Sequence, residues 1–372
     1  MEMFATEAWV LHRSDNSGVP LQLVRETFNF PGLDADEVLA TPLYGCWEGN
    51  MDHALRRSPI DIGVLRNEDR VVIGNAGVVR VERVGSAVKA LAEGDLGIVF
   101  CNGTPDANGY PTTILGYDAP GTMGVLAKTM KLREGQLLPI PKSSPLTLDQ
   151  WAAFSLRYIT AWANWHVAWG CWQTQMREVS PEEVFVCGWG GGVSFAQLLL
   201  AKSFGCRVAM IASTPSRLSL LRSLGIEAID RSAFDKSRFE EGLLSALRLW
   251  TGGRGVSIFI DNIGSCYRST LKAIGRQGVI TTSGWKHGIT HPTMRSLECI
   301  SRHIHVFTHY ARYCEGVAAV DFANKGTWSP PRAGRIYTWD EIPELAQNYA
   351  SGAIDDYFPI FSVNQIDAGG AA

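Results

Sequence analysis

A glycine-rich turn, Gly188-Trp-Gly-Gly-Gly-Val-Ser194, is the part of this chain whose residue types most clearly imply chemistry. The apolar run from Val184 to Cys187 precedes it, and a helical apolar pattern follows it as far as Lys202. Glycines at such a strand-to-helix turn let backbone N–H groups approach a pyrophosphate, and the start of the helix adds partial positive charge. The pattern therefore predicts a dinucleotide-binding turn.

The segment after the next strand indicates which dinucleotide would bind. Cys206 to Ser213 reads as a second apolar strand and completes a βαβ unit. An acidic residue at the end of this strand would bind the ribose 2′-hydroxyl of NADH, and none is present. The hydroxyls of Ser213 and Thr214 and the guanidinium of Arg217 suit a 2′-phosphate instead. We predict NADPH as the cofactor; the alternative for Arg217 is a solvated residue at a helix start.

The surrounding elements change character along the chain. Residues 1–150 contain short β-like runs and many turn residues, and from 184 onward strands alternate with helices. Such alternation is typical of a parallel, doubly wound α/β sheet. We predict its strands at 184–187, 208–212, 256–261, 278–283 and 303–308.

Composition excludes several classes of protein. The 372 residues are 46% hydrophobic and 19% charged, with a net charge of −3, which fits a globular chain of two domains. A chain without a basic run is not expected to bind nucleic acid or an anionic membrane. The acidic N-terminus and the lack of a long apolar run predict a cytoplasmic protein. The eight cysteines form no CxxC pair, so they predict reduced thiols.

Four tryptophans follow one another at helical spacing. They are Trp162, Trp165, Trp169 and Trp172. Indoles at this spacing bury a large apolar area, so we interpret them as packing at a domain junction or between subunits. A wall of the substrate pocket is the alternative.

The order of elements resembles the medium-chain dehydrogenase/reductase superfamily. The motifs that carry the resemblance are Glu37-Val-Leu-Ala, Gly85-Ser-Ala-Val-Lys-Ala-Leu-Ala-Glu-Gly-Asp95, Gly121-Thr-Met-Gly, Leu138-Pro-Ile-Pro, Ile159-Thr-Ala-Trp and Ile260-Asp-Asn-Ile-Gly264. The resemblance implies a homodimer of α/β chains, with a GroES-like, β-rich substrate domain (1–156 and 315–372) and a Rossmann NADPH-binding domain (157–314). The cofactor contacts expected are Gly188, Gly190, Gly191, Gly192, Val193, Ser213, Thr214, Arg217, Asn262, Ser283 and Gly284.

Residues that bind zinc in other members of the superfamily are missing. Zinc-dependent members carry Gly-His-Glu where this chain has Gly74-Asn75-Ala76, and four close cysteines where only Cys101 remains. Cys46 lies near the family's catalytic cysteine, but a single thiolate is too few ligands, and we interpret it as a buried thiol. The sequence therefore predicts no metal site.

Loss of zinc favours one type of reduction. Simple ketone or alcohol redox in this superfamily relies on a Lewis acid, whereas hydride addition to the β-carbon of an enone or enoyl thioester gives an enolate that hydrogen-bond donors can stabilise. The runs Leu115-Gly-Tyr-Asp118 and Thr308-His309-Tyr-Ala-Arg312 resemble the crotonyl-CoA carboxylase/reductase branch. That branch implies a pocket lined by four residues of this chain. They are Asn50, Tyr117, Asp118 and His309.

The resemblance also suggests roles for three of these residues, each with an alternative. Tyr117 and His309 would donate hydrogen bonds to the carbonyl or enolate, and Asp118 would orient His309 or a proton-delivering water. Alternatively, Tyr117 packs in the core, Asp118 makes local backbone hydrogen bonds in its turn, and His309 is a strand-end histidine satisfied by a neighbour.

The function predicted is an NADPH-dependent, zinc-independent reductase of an activated C=C bond. Enoyl-CoA, a carrier-bound enoyl chain and a small cyclic enone of secondary metabolism all stay open as substrates, because the loops at 47–70 and 102–120 contain no recognisable specificity motif. The alternatives are a zinc-independent carbonyl reductase, a quinone reductase and a non-catalytic NADPH-binding protein.

Overall fold

The chain separates into two compact units. The computed structural model describes residues 2–14, 16, 19–284 and 301–365. The first unit comprises Met1–Leu156 and Arg312–Ala372, and the second comprises Arg157–Ala311.

The first unit is built mainly of antiparallel strands. Its strands are β1 (Met3–His12), β2 (Leu23–Pro31), β3 (Glu37–Cys46), β4 (Arg70–Val71), β5 (Gly77–Val84), β6 (Leu96–Val99), β7 (Met130–Arg133), β8 (Leu137–Pro139), β15 (Ile336–Tyr337) and β16 (Ile360–Ser362). Its three-stranded sheet has the order β2-β1-β4, and its larger sheet has the order β15-β16-β3-β5-β6-β8, with β7 paired to β3. In β1 the buried residues Thr6, Ala8 and Val10 alternate with more exposed ones, as expected for a strand with one face on the core.

Short helices complete the first unit. An apolar core that includes Trp47, Leu126 and Phe361 fills the space between its elements. Gly45 in β3 has no side chain because the Phe361 ring occupies the space that a Cβ would need. The helices are α1 (Gly49–Arg56), α2 (Ile62–Arg66), α3 (Leu148–Phe154), α9 (Tyr313–Ala323) and α10 (Ile342–Ser351).

The second unit contains a six-stranded parallel sheet. The strands are β9 (Phe185–Trp189), β10 (Arg207–Ala212), β11 (Glu227–Asp230), β12 (Val256–Asp261), β13 (Ile274–Thr281) and β14 (His305–Phe307). Their order in the sheet is β11-β10-β9-β12-β13-β14, so the chain order reverses between β9 and β12. In open α/β sheets a ligand binds at the carboxyl ends of the strands where this reversal occurs. The arrangement confirms the predicted Rossmann-type α/β fold.

The tryptophan stripe lies on the first helix of the second unit. Trp165 and Trp172 are buried, whereas Trp162 and Trp169 are half-buried. Trp165 stacks on Trp169 with ring centroids 5.5 Å apart and packs edge-on against Phe204. This part of the stripe is therefore core of the second unit. The helices of this unit are α4 (Arg157–Gln175), α5 (Gly192–Ser203), α6 (Pro215–Ser223), α7 (Phe239–Trp250) and α8 (Tyr267–Ala273).

Across the described ranges, no helix is both long enough and apolar enough to cross a bilayer.

Candidate functional site

The glycine turn connects β9 to α5 at the point where the strand order reverses. Gly190 has φ +134°, and a Cβ on it would lie 2.8 Å from Ser194 Oγ, so this position requires glycine. Gly191 is exposed, and no described heavy atom lies within 4 Å of the position its Cβ would take. Open space beside a helix N-terminus fits the pyrophosphate of a dinucleotide.

A chain of hydrogen bonds fixes the turn against the neighbouring strand ends. Ser194 Oγ donates to the Trp189 carbonyl at 3.0 Å and accepts from Asn262 Nδ2 at 2.8 Å. Asn262 Oδ1 accepts from the Ser283 backbone N–H at 2.7 Å and from its hydroxyl at 3.1 Å. Both polar ends of Asn262 therefore bond to other protein groups. The network holds together the carboxyl ends of β9, β12 and β13.

The other predicted cofactor residues lie beside this network. Gly188 is in β9, where a Cβ would lie 3.2 Å from Leu198 Cδ1, so its small size allows α5 to pack on the sheet. Gly192 and Val193 form the first turn of α5. Gly284 follows Ser283, and its carbonyl accepts from the Thr282 hydroxyl.

The segment after β10 contains a buried hydroxyl to which no described residue donates or accepts a hydrogen bond. Thr214 is the residue before α6, its side chain makes no capping hydrogen bond, and its Oγ1 is buried with no partner among the described residues. Ser213 and Arg217 flank it and are partly exposed. Because β10 pairs with β9, these residues lie next to the glycine turn. The 2′-phosphate of NADPH would supply the missing acceptor for Thr214.

The His309 segment is anchored to α4 by a residue that sequence analysis did not identify. Asn164 is fully buried, and its Nδ2 donates to the carbonyls of Thr160 at 3.0 Å and His309 at 2.8 Å. Its Oδ1 accepts from Thr281 Oγ1 at 3.3 Å. The chain around His309 is thus connected to the end of β13, two residues before Ser283.

In the first unit, a buried arginine holds the turn that contains Tyr117 and Asp118. The Arg66 side chain is 1% exposed and donates to the carbonyls of Tyr117 at 3.1 Å and Thr122 at 2.6 Å. It also pairs with Glu68 at 2.7 Å, and the other Glu68 oxygen accepts from the Gly121 N–H. The turn is therefore clamped from the end of α2.

The predicted pocket residues of this unit serve structural roles as well. The Tyr117 ring belongs to the apolar core, and Asp118 Oδ1 accepts from the Ile114 N–H. Asn50 lies in the first turn of α1, and its Oδ1 is buried with no partner in the described part of the chain. Cys46 ends β3, and its N–H donates to the Ala76 carbonyl at 3.1 Å.

The residues near Cys101 do not fit a zinc ion. Burial, reinforced by the negative charges of Glu48 and Asp118, raises the pKa of the Cys101 thiol to about 12, so the thiol keeps its proton at neutral pH. No group of three or more His, Cys, Asp and Glu side chains suited to a metal occurs in 2–14, 16, 19–284 and 301–365. We derive no catalytic step through a metal.

This pKa predicts the order in which thiols react. With N-ethylmaleimide at pH 8, exposed Cys314 should be labelled first, while Cys101 and buried Cys187 should resist, because burial raises the pKa of both thiols. Peptide mass spectrometry over a time course measures the order. Labelling of Cys101 as fast as Cys314 would contradict the assignment.

The structure brings the predicted residues together within each unit. In the second unit Asn262 and Ser283 share one hydrogen-bond network, and Gly190 packs against it. In the first unit Tyr117 and Asp118 share one turn. Sequence reasoning missed Arg66 and Asn164 as parts of these sites. No local pattern marks them, because their hydrogen bonds reach residues 51 and 145 positions away.

Comparison with known proteins gives related sequences. The family model described as zinc-binding dehydrogenase matches residues 192–322. A crotonyl-CoA reductase of Streptomyces collinus is 26% identical over 300 residues, which are 74% of this chain and 64% of that protein. The chain thus spans less than two thirds of that relative's length.

Solved structures match nearly the whole fold. A crotonyl-CoA carboxylase/reductase has a TM-score of 0.80 and 22% identity, covering 98% of this chain and 90% of that one. The 2-octenoyl-CoA carboxylase reductase CinF, solved with NADP and 2-octenoyl-CoA, has a TM-score of 0.79 and 19% identity with the same coverage. At these identities the likeness is one of fold. The family match over 192–322 and the reversal of strand order at the glycine turn agree with this likeness of fold.

Proposed function

We propose that this protein is an NADPH-dependent oxidoreductase that reduces the activated C=C bond of an enone or enoyl thioester without a metal. The observation that carries the proposal is the 26% identity over 300 residues to a crotonyl-CoA reductase. The geometry of the dinucleotide turn is consistent with it.

The second unit would hold the cofactor. The open space at Gly191 and the N-terminus of α5 would accept the pyrophosphate. Thr214, with Ser213 and Arg217, would bind the 2′-phosphate. Bound NADPH would supply the hydride for the reduction.

Replacing Thr214 by valine tests the choice of cofactor. Thr214→Val keeps the side-chain shape and removes only the hydroxyl, so NADPH affinity should fall about tenfold through loss of one hydrogen bond to a charged group. NADH affinity should not change, because NADH lacks the 2′-phosphate. Isothermal titration calorimetry with both cofactors measures this. An equal loss for both would mean that Thr214 acts only on the fold.

The first unit and the His309 segment would supply groups for the substrate. Hydride addition to the β-carbon moves negative charge to the carbonyl oxygen, and hydrogen-bond donors must stabilise it in place of a metal. Tyr117 and His309 are proposed as these donors. Asp118 would orient His309 or the water that protonates the α-carbon, with its Oδ1 already engaged by the Ile114 N–H. Asn50, whose Oδ1 has no partner among the described residues, is a fourth candidate.

A substrate panel tests the proposed reaction. NADPH oxidation should be followed at pH 7, after EDTA treatment, with crotonyl-CoA, a cyclic hydroxylated enone and a quinone, and product masses and NMR spectra should be recorded. A saturated thioester or ketone supports the proposal. An alcohol product indicates a carbonyl reductase, and turnover of the quinone alone indicates a quinone reductase. NADPH binding without turnover of any acceptor indicates a binding protein.

Single substitutions then test the individual roles. His309→Ala, Tyr117→Phe and Asp118→Asn each remove one proposed donor or acceptor, and each should lower kcat by about 100-fold if the group acts in the transition state. A variant whose turnover stays within threefold of the wild type removes that residue from the mechanism.

We propose that the protein is a homodimer, as the resemblance implies. We also propose that it is cytoplasmic, as its composition indicates. Light scattering after size-exclusion chromatography measures the mass of the particle. A mass equal to one chain would contradict the dimer.

A further inference from the structure

Asn75 is a fully buried amide, and neither polar end of its side chain has a partner in the part of the chain that the structure describes. It lies between β4 and β5, and its side chain has 0% exposure. Neither Oδ1 nor Nδ2 has a hydrogen-bond partner among the residues that the structure describes. No other asparagine or glutamine of the first unit has both ends of its side chain buried and unpartnered in that part of the chain.

Such an arrangement is unfavourable unless another molecule completes it. Folded proteins pair nearly all buried polar groups, because a buried amide without partners loses its hydrogen bonds to water. Asn164, equally buried, shows the usual solution, with three hydrogen bonds to protein groups. Among the described residues Asn75 has no such partner, so its amide can hydrogen-bond to a bound ligand.

The neighbours of Asn75 place it in the region of the candidate site. The N–H of Gly74 donates to the Gly116 carbonyl at 3.1 Å, immediately before Tyr117. On the other side, the Ala76 carbonyl accepts from the N–H of Cys46 at the end of β3. Asn75 thus lies between the turn that contains Tyr117 and the loop that leads to Asn50.

The backbone around Asn75 is held rigidly. Gly74 has φ +113°, a conformation that L side chains rarely adopt, and a Cβ there would lie 2.9 Å from Val125 Cγ2. Gly116 packs equally closely, since its Cβ would lie 2.7 Å from the Gly74 carbonyl oxygen. A group held in this way has its orientation set before a ligand arrives, which suits binding in a transition state.

We propose that Asn75 is a substrate-binding residue whose Nδ2–H donates to the carbonyl oxygen of the enone or enoyl thioester. This inference rests on the proposed function. During reduction the carbonyl oxygen gains negative charge as the C=C electrons move toward it, so the hydrogen bond strengthens in the transition state. Asn75 thereby supplies a neutral donor where no metal polarises the oxygen.

The test compares two fully buried asparagines. Asn75→Leu removes both unpartnered ends, so Tm should stay equal or rise by a few degrees, while kcat for the best acceptor of the substrate panel falls about 100-fold. NADPH affinity, measured by calorimetry, should stay within twofold. Asn164→Leu is the matched control, and it should lower Tm because it breaks three existing hydrogen bonds.

A second variant covers the case in which leucine does not fit. Asn75→Asp keeps the shape and replaces the donor by a charged acceptor, so it should lower kcat at least as much as leucine does. If both variants keep turnover within threefold of the wild type, the assignment of Asn75 is wrong. A marked fall of Tm in Asn75→Leu, similar to that of Asn164→Leu, would mean that a trapped structural water completes Asn75, and it would also overturn the proposal.

The results for the Asn75 variants can be told apart from a result in which the protein does not reduce a C=C bond at all. If the wild type reduces an acceptor and the Asn75 variants match it, only the role of Asn75 fails. If the wild type reduces no acceptor, calorimetry with butyryl-CoA and a saturated cyclic ketone in the presence of NADP⁺ decides instead. Binding that the leucine variant loses supports Asn75 as a carbonyl-binding residue. No binding by the wild type overturns both proposals.

Discussion

Gly191→Asp is expected to weaken NADPH binding by about 100-fold or more while Tm stays the same or rises. Gly191 precedes α5, where aspartate is a favoured N-cap, and the space that its Cβ would enter contains no described atom within 4 Å. The fold should therefore accept the side chain. A carboxylate beside a bound pyrophosphate is unfavourable, since two like charges 4 Å apart repel by about 4 kcal/mol at an effective dielectric constant of 20. Calorimetry with NADPH and thermal unfolding of the free protein measure the two effects.

Substitution of the neighbouring glycine should lower stability as well as affinity, and it serves as the control. Gly190 has φ +134°, and a Cβ there would lie 2.8 Å from Ser194 Oγ and 3.1 Å from Asn262 Cβ. Gly190→Ala should therefore cost about 1–3 kcal/mol of stability as well as affinity. If Gly191→Asp binds NADPH as tightly as the wild type, the pyrophosphate does not lie at this turn.

Arg66→Met is expected to lower the free energy of unfolding by about 3 kcal/mol and to reduce turnover together with it. The methionine fills a similar volume but leaves the carbonyls of Tyr117 and Thr122 and one oxygen of Glu68 without the donor that Arg66 supplied. Because these bonds hold the turn that contains Asp118, both stability and the position of the candidate residues should change. Urea unfolding and steady-state kinetics measure the two effects.

A surface arginine of the same unit is the matched control. Arg80 pairs with Glu82 at 3.0 Å, with side chains 34% and 36% exposed, so Arg80→Met should cost less than about 1 kcal/mol. Equal losses for the two variants would mean that the buried clamp contributes no more than an exposed ion pair. A loss of stability at Arg66 with unchanged turnover would mean that the turn takes no part in the reaction.

The second unit could be predicted from local patterns to a large extent. The predicted strand 256–261 coincides with β12 (Val256–Asp261), and the run at 184–187 overlaps β9 (Phe185–Trp189). Each central strand of a parallel sheet is buried on both faces, so it reads as a continuous apolar run. The edge strand β11 (Glu227–Asp230) was missed because it has charged residues at both ends and only Ile229 is buried.

The first unit was harder to predict in detail. Its early strand β2 (Leu23–Pro31) alternates exposed and partly buried residues, and its sequence includes Arg25, Glu26 and Asn29. Its pairing with β1 over nine residue pairs stabilises it, and that pairing depends on the partner strand more than on local propensity. The resemblance to a known family indicated the fold of this unit where periodicity alone did not.

The sequence by itself determined the glycine-rich turn and the parallel sheet, because these depend on residue types close together in the chain. It also predicts a phosphate at the 213–217 segment. Only the tertiary structure decided which groups hold the sites in place and which buried groups lack a partner. Asn164 reaches His309 across 145 residues, and Arg66 reaches Tyr117 across 51. The unpartnered state of Asn75 likewise depends on every atom packed around it, so no local pattern in the sequence encodes it.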